Sequence, residues 1–118
     1  MRQAHAKRRA SMKANAGIPW KREWVIENDI LEGQTLPVCN LCGKLIEDIS
    51  GQGLHIDHII SINNGGKDCF TNVACTHMEC NLRKEKDDRN LSVEAVEAVK
   101  TRRIKFIEEH PEYFEGVE

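Results

Sequence analysis

The feature that most constrains this chain is a Cys39-x2-Cys42 pair followed by Gly43, with more metal-competent side chains downstream at Cys75, His77 and Cys80. Two thiols three positions apart, with a glycine that lets the backbone fold beneath them, make one half of a zinc knuckle. The other half needs equally tight spacing, which favours His77 and Cys80 and leaves Cys75 as the alternative to His77 in an all-sulfur site. A structural Zn²⁺ contributes roughly 10–16 kcal/mol to the folding of a small domain. Such a contribution suits this chain, which has only six aromatic residues among 118, with 40% hydrophobic and 31% charged residues. A thioredoxin-type redox pair at Cys39 and Cys42 is the competing reading. It requires a strand-to-helix turn within a βαβ pattern, which the sequence does not display. Cys69 has no partner and reads as a small buried apolar residue.

The length is that of one domain. No apolar run approaches the roughly 18 residues of a membrane span, and no apolar segment follows the basic first residues as in a secretory signal. Five cysteines, an odd number, in such a chain point to a reducing, cytoplasmic setting. The net charge of −2 conceals an asymmetry: residues 1–22 carry seven bases and no acid, whereas the remainder carries ten bases and nineteen acids. A basic arm over 1–17 on an acidic body is the form a polyanion-binding extension takes, although a merely solvated terminus has the same composition.

Local pattern places the elements. The segment after Pro19 has apolar positions at Trp20, Trp24, Val25, Ile30 and Leu31, spaced for a short helix that stops near Gly33. LHIDHIISI (54–62) reads as a strand, NNGGK (63–67) as a loop, CFTNVAC (69–75) as the partner strand, and MECNLRKEKDD (78–88) as a helix. Ser92 is a suitable N-cap for a helix from Val93 to about Glu109, ended by Pro111. Its apolar face comprises Val93, Val96, Val99, Ile104, Phe106 and Ile107, and packing is its expected role.

Three polar side chains, His55, Asp57 and His58, interrupt the first apolar strand. Strand alternation puts His55 and Asp57 on one face and His58 on the other, so a twist or bulge at the strand end is needed to turn Asp57 and His58 toward one site. Asn72 follows on the partner strand, then Asn81 and Lys84 at the head of the helix. The order Cys39-x2-Cys42, Asp57-His58-Ile59-Ile60, Gly65-Gly66, Asn72-Val73, Cys80-Asn81-x2-Lys84 resembles the HNH endonucleases in their zinc-knuckle-bearing, phage-type form, over about Trp20 to Lys86.

The resemblance implies an α+β fold: a ββα-metal unit with a structural zinc site and flanking helices. It divides the chain into the arm (1–17), the nuclease domain (18–90) and a C-terminal helix and tail (91–118). It makes His58 the general base, Asp57 and Asn81 the ligands of a catalytic Mg²⁺ or Mn²⁺, Asn72 the residue that orients the histidine, and Lys84 a phosphate contact. Asn81 in the third position makes this an HNN variant. The implied reaction is hydrolysis of double-stranded DNA, leaving 5′-phosphate and 3′-hydroxyl ends, and small phage proteins of this type are associated with terminase and genome packaging. Two departures stand out. His77 replaces the first cysteine of the usual second knuckle, and the position of His55 has no fixed role. A non-catalytic zinc-ribbon DNA-binding adaptor is the rival reading; it accounts for the cysteines and the arm but not for Asp57, His58, Asn72 and Asn81 falling together.

Overall fold

A computed structural model describes residues 18–87 and 91–114, so the basic arm and the end of the tail lie outside the described residues. The elements are α1 (Arg22–Asn28), β1 (Leu54–His58), β2 (Val73–His77), α2 (Met78–Asp87) and α3 (Val93–Glu109). Single 3-10 turns lie at Ile62–Asn64, Phe70–Asn72 and Pro111–Tyr113. β1 and β2 pair antiparallel, with Leu54 opposite His77 and His58 opposite Val73. Because α2 starts at the residue after β2 ends, the hairpin and helix form one continuous ββα unit, the α+β arrangement expected.

Both strands are shorter than their apolar runs. β1 ends at His58, and Ser61–Gly66 folds back on itself, the Gly66 N–H donating to the Ser61 carbonyl at 2.8 Å. A Cβ on Gly66 would lie 1.7 Å from the Ile60 carbonyl oxygen, so the loop closes only around a glycine. Asn72 ends a 3-10 turn instead of lying within β2, its N–H donating to the Cys69 carbonyl at 2.9 Å.

α1 also stops early, at Asn28 rather than near Gly33. The next residue, Asp29, leaves the helix for a fully buried ion pair with Arg103 of α3. Ile30 then forms an isolated bridge with Pro37, and Gly33 falls in the intervening turn at φ +83°. α3 begins as predicted, the Ser92 hydroxyl accepting from the Ala95 N–H at 3.1 Å. Its inward face differs from the apolar stripe: Val99, Arg103 and Phe106 are buried, while Val93 and Ile104 are exposed. The reach of Arg103 to Asp29 sets the helix rotation.

The few aromatic residues are concentrated. Phe70, Phe106 and Phe114 join Val25, Ile46, Leu54 and Val73 in one buried cluster. Trp24 stacks on Tyr113, ring centroids 5.0 Å apart, and Phe70 meets Phe106 at 5.4 Å. The C-terminal helix is therefore part of the same core as the hairpin and not an appended unit. Cys69 is buried, its sulfur 3.4 Å from the Thr71 hydroxyl.

Burial alone raises the pKa of Asp29. The charge of Arg103, its hydrogen bonds, the nearby Arg102 and the Cys75 N–H outweigh that and hold the carboxyl below its ordinary value. Stability from this pair is therefore present above the unfolded-state pKa of about 3.9 and is lost as pH falls through the lower folded value. Asp29→Ala is expected to destabilise the fold by about 3–5 kcal/mol, because it leaves buried guanidinium groups without a counterion. Urea unfolding at pH 7 measures this, and a loss below about 1 kcal/mol contradicts it.

Candidate metal centre and active site

The knuckle is a tight turn: the Gly43 N–H donates to the Cys39 carbonyl at 2.7 Å and the Cys39 N–H to the Lys44 carbonyl at 2.8 Å. Gly43 has φ +82°, a left-handed conformation that a side chain would strain. The turn docks on β2 through the Asn40 N–H, which donates to the Cys75 carbonyl at 2.9 Å. This docking sets Cys39 and Cys42 beside the end of β2 and the start of α2. Ligand atoms of Cys39, Cys42, His77 and Cys80 lie within 4.8 Å of one another, the arrangement favoured by spacing.

Imidazole chemistry sets the direction of His77. Its Nε2 lies 3.1 Å from the Leu45 carbonyl oxygen, which can only accept, so Nε2 carries the proton. The Nδ1 lone pair then faces the Cys42 and Cys80 sulfurs at 3.4 and 3.7 Å. Tetrahedral Zn²⁺ with Zn–S near 2.3 Å needs ligands about 3.8 Å apart, close to these separations. The His77 backbone N–H also donates to the Cys39 sulfur at 3.2 Å, a bond that favours a thiolate.

The thiols respond to this crowding. Burial and the Cys39 and Cys42 sulfurs push the Cys80 pKa up to about 12. Burial works against the Cys42 thiolate too, but the Lys44 N–H, the Cys39 and Cys80 thiols and the Lys44 charge bring its pKa below the ordinary value. Three adjacent sulfurs ionise together only when a cation neutralises them. The cluster can hold zinc. Cys75, the alternative ligand, points elsewhere: it is fully buried in the core, where desolvation and the Asp29 carboxylate drive its pKa upward and disfavour a thiolate.

The hairpin and α2 bring together a second set. His55 and Asp57 share one face of β1 and meet residues one turn apart on α2: the Asn81 Nδ2 lies 3.2 Å from the His55 Nδ1, and the Lys84 Nζ lies 2.5 Å from Asp57 Oδ2. Lys84 also donates to the His58 carbonyl at 2.9 Å. Asn81 is buried, and its Oδ1 has no hydrogen-bond partner among the described residues. His55, whose role the sequence left open, thus holds the Asn81 amide. Lys84, expected to contact phosphate, stands beside the Asp57 carboxylate as its counterion.

His58 faces a different neighbour, its Nε2 lying 2.9 Å from Asp68 Oδ1. Asn72 does not touch the His58 ring. Its side chain spans the base of the loop, accepting from the Ile60 N–H at 2.9 Å and donating to the Ile60 and Lys67 carbonyls at 3.0 and 2.7 Å. Asp68 and the Asp29–Arg103 pair escaped the sequence reading. An aspartate after Gly-Gly in a polar loop carries no periodic signal, and a charge pair 74 residues apart carries none either.

Zinc stoichiometry separates the two candidate fourth ligands. The wild type and Cys75→Ala are expected to retain one zinc per chain by elemental analysis, whereas His77→Ala and Cys39→Ser lose it. Zinc loss from Cys75→Ala alone would reverse the assignment.

Among the described residues no helix is long and apolar enough to cross a membrane. Comparison with curated proteins and with solved structures yields no match. The model of one family does match: HNH endonuclease, over residues 39–87, a span that runs from the first knuckle cysteine to the end of α2. The hairpin, helix and Cys3His cluster all lie inside that span, so residues 39–87 are the part of the chain that is similar to an HNH endonuclease domain.

Proposed function

We propose that this protein is a divalent-metal-dependent endonuclease that hydrolyses double-stranded DNA, with His58 as the general base and a structural Zn²⁺ on Cys39, Cys42, His77 and Cys80. The observation that carries the reading is the buried, unpartnered Asn81 Oδ1, held on the same strand–helix face as the Asp57 carboxylate. A carboxylate and an amide oxygen are hard donors, suited to Mg²⁺ or Mn²⁺ rather than Zn²⁺. The residues present therefore fit such an ion. When bound, the cation supplies neutralisation of charge at the scissile phosphate and the leaving oxygen.

The remaining work belongs to the protein. The neutral His58 imidazole takes a proton from water, the task of a general base. Asn72 holds the two ends of the loop that follows His58, which fixes the backbone on which the base sits. Lys84 lies beside Asp57 and would be available to phosphate if a cation balanced that carboxylate. Five unpaired cysteines accord with a reducing, cytoplasmic setting. The resemblance to small phage nucleases supports extending the proposal to genome packaging beside a terminase. Stimulation of cleavage by an added terminase tests that extension.

His58→Ala is expected to lower cation-dependent relaxation of supercoiled plasmid by about 10²–10⁴-fold, the usual effect of losing a general base. Zinc content and circular dichroism should stay those of the wild type. DNA binding without any cutting, by a zinc-loaded wild type given Mg²⁺ or Mn²⁺, would favour the adaptor reading. Lys84→Ala divides its two roles. Removing a positive charge beside Asp57 raises Mn²⁺ affinity, read by electron paramagnetic resonance of the free ion, while DNA affinity falls.

A further inference from the structure

A carboxylate that no part of the proposed chemistry uses lies against the His58 ring. Asp68 Oδ1 is 2.9 Å from the His58 Nε2 and accepts from the Trp20 indole N–H at 2.8 Å. An ionised carboxylate has acceptors only, so the ring nitrogen facing it must carry a proton. In the neutral ring, the lone pair then resides on Nδ1. Hydrogen bonds from the His58 ring and the indole N–H hold the Asp68 pKa below its ordinary value, so Asp68 is charged at neutral pH.

The position of Asp68 is itself constrained from three sides. The Asn72 amide bonds the carbonyl of the preceding residue, Lys67, at 2.7 Å. The Gly66 N–H closes the loop onto the Ser61 carbonyl. The Phe70 N–H donates to the Ile18 carbonyl at 2.7 Å, which ties the segment carrying Trp20 to the loop carrying Asp68. Asn72 thus acts on the histidine at one remove, through the loop that presents Asp68.

We propose that Asp68 is a positioning residue for the His58 base, holding the ring by its Nε2–H so that Nδ1 faces the reacting water, with Trp20 fixing the carboxylate. This rests on the nuclease reading for its effect on rate and on geometry alone for the tautomer. Hydrogen-bonded partners of this kind typically change activity 10–100-fold.

The test uses the full-length, zinc-loaded chain with ¹⁵N-labelled histidine. Long-range ¹H–¹⁵N spectra at pH 8 are recorded for the wild type, Asp68→Ala and Asp68→Asn, with His58→Ala assigning the ring. The wild type is expected to show the nitrogen pattern of a single Nε2–H tautomer. In Asp68→Ala the two nitrogen shifts move toward each other, and plasmid-nicking turnover falls about 10–100-fold with KM for DNA unchanged. Asp68→Asn keeps an acceptor oxygen, so it retains the wild-type pattern and most of the turnover. Wild-type nitrogen shifts in Asp68→Ala overturn the proposal, as does an Asp68→Asn protein impaired as severely as Asp68→Ala. A wild type with the expected nitrogen pattern that cuts no DNA overturns the nuclease reading, and with it the effect on turnover, while the tautomer result stands by itself.

Discussion

The arrangement depends on one buried carboxylate. Asp29 receives both Arg103 guanidinium nitrogens at 2.7 and 2.9 Å, Arg102 at 2.9 Å, the Cys75 N–H at 2.9 Å and the Asn40 amide at 3.1 Å. These partners come from α3, from the middle of β2 and from the zinc knuckle, while Asp29 itself ends α1. A charge so deeply buried is tolerated only with nearly every lone pair satisfied, so the partners cannot shift independently. Arg103 continues past Asp29 to the Val73 carbonyl at 3.1 Å and lies over the Phe70 ring, which couples the same hub to the start of β2 and to the aromatic core. Such pairs add little net stability over a well-packed apolar alternative. Here the pair sets register between elements that would otherwise meet through few large side chains.

The hub also explains the choice of metal ligand that spacing alone left open. Asp29 binds the Cys75 N–H, and the knuckle residue Asn40 bonds the Cys75 carbonyl through its backbone N–H at 2.9 Å and its side-chain amide at 3.1 Å. Cys75 serves as the docking point for the knuckle, with its thiol turned into the core beside a carboxylate. The last residue of β2, His77, lies beyond that docking point and against the knuckle sulfurs. Its Nε2–H is held by the carbonyl of Leu45, which follows the knuckle turn and bridges back to Val38. Imidazole is neutral when it ligates, so the fourth position adds no further negative charge to three crowded sulfurs.

Much of this was legible in the residues, and the illegible parts share a cause. The knuckle turn, the Ser92 cap, the helix after Met78 and each strand taken singly are local, and each is specified by residues within a few positions of one another. The early end of α1, the rotation of α3 and the partners of Asn72 and Lys84 depend on contacts between distant segments. Arg102 and Arg103 look like solvated helix charges until Asp29 is placed, and Ile104 looks like core until Arg103 fixes which side turns inward. The sequence order of Asp57, His58, Asn72 and Asn81 pointed to a candidate site through its resemblance to a family. It did not indicate that the histidine and the carboxylate take separate partners, because that follows from strand alternation combined with a loop whose course only the fold determines.

Alternation also gives the site its logic. Residues 55 and 57 face α2, whereas residue 58 faces the loop, so the oxygen donors and the base are positioned by different structures. The donor side is tied to the Cys3His cluster, since Cys80 belongs to it and is the immediate neighbour of Asn81 on α2, and Lys84 follows one turn later on the same helix. The His58 side is held by Asp68, which also bonds the Trp20 indole, and by the Asn72 clamp on the loop. The two sides meet at β1, a five-residue strand anchored at its first residue by Arg22, which donates to the Leu54 carbonyl at 3.2 Å, and at the Lys84 ammonium, which donates to the His58 carbonyl. The candidate base and the candidate oxygen donors thus sit on opposite faces of one short strand, each held by its own set of hydrogen bonds.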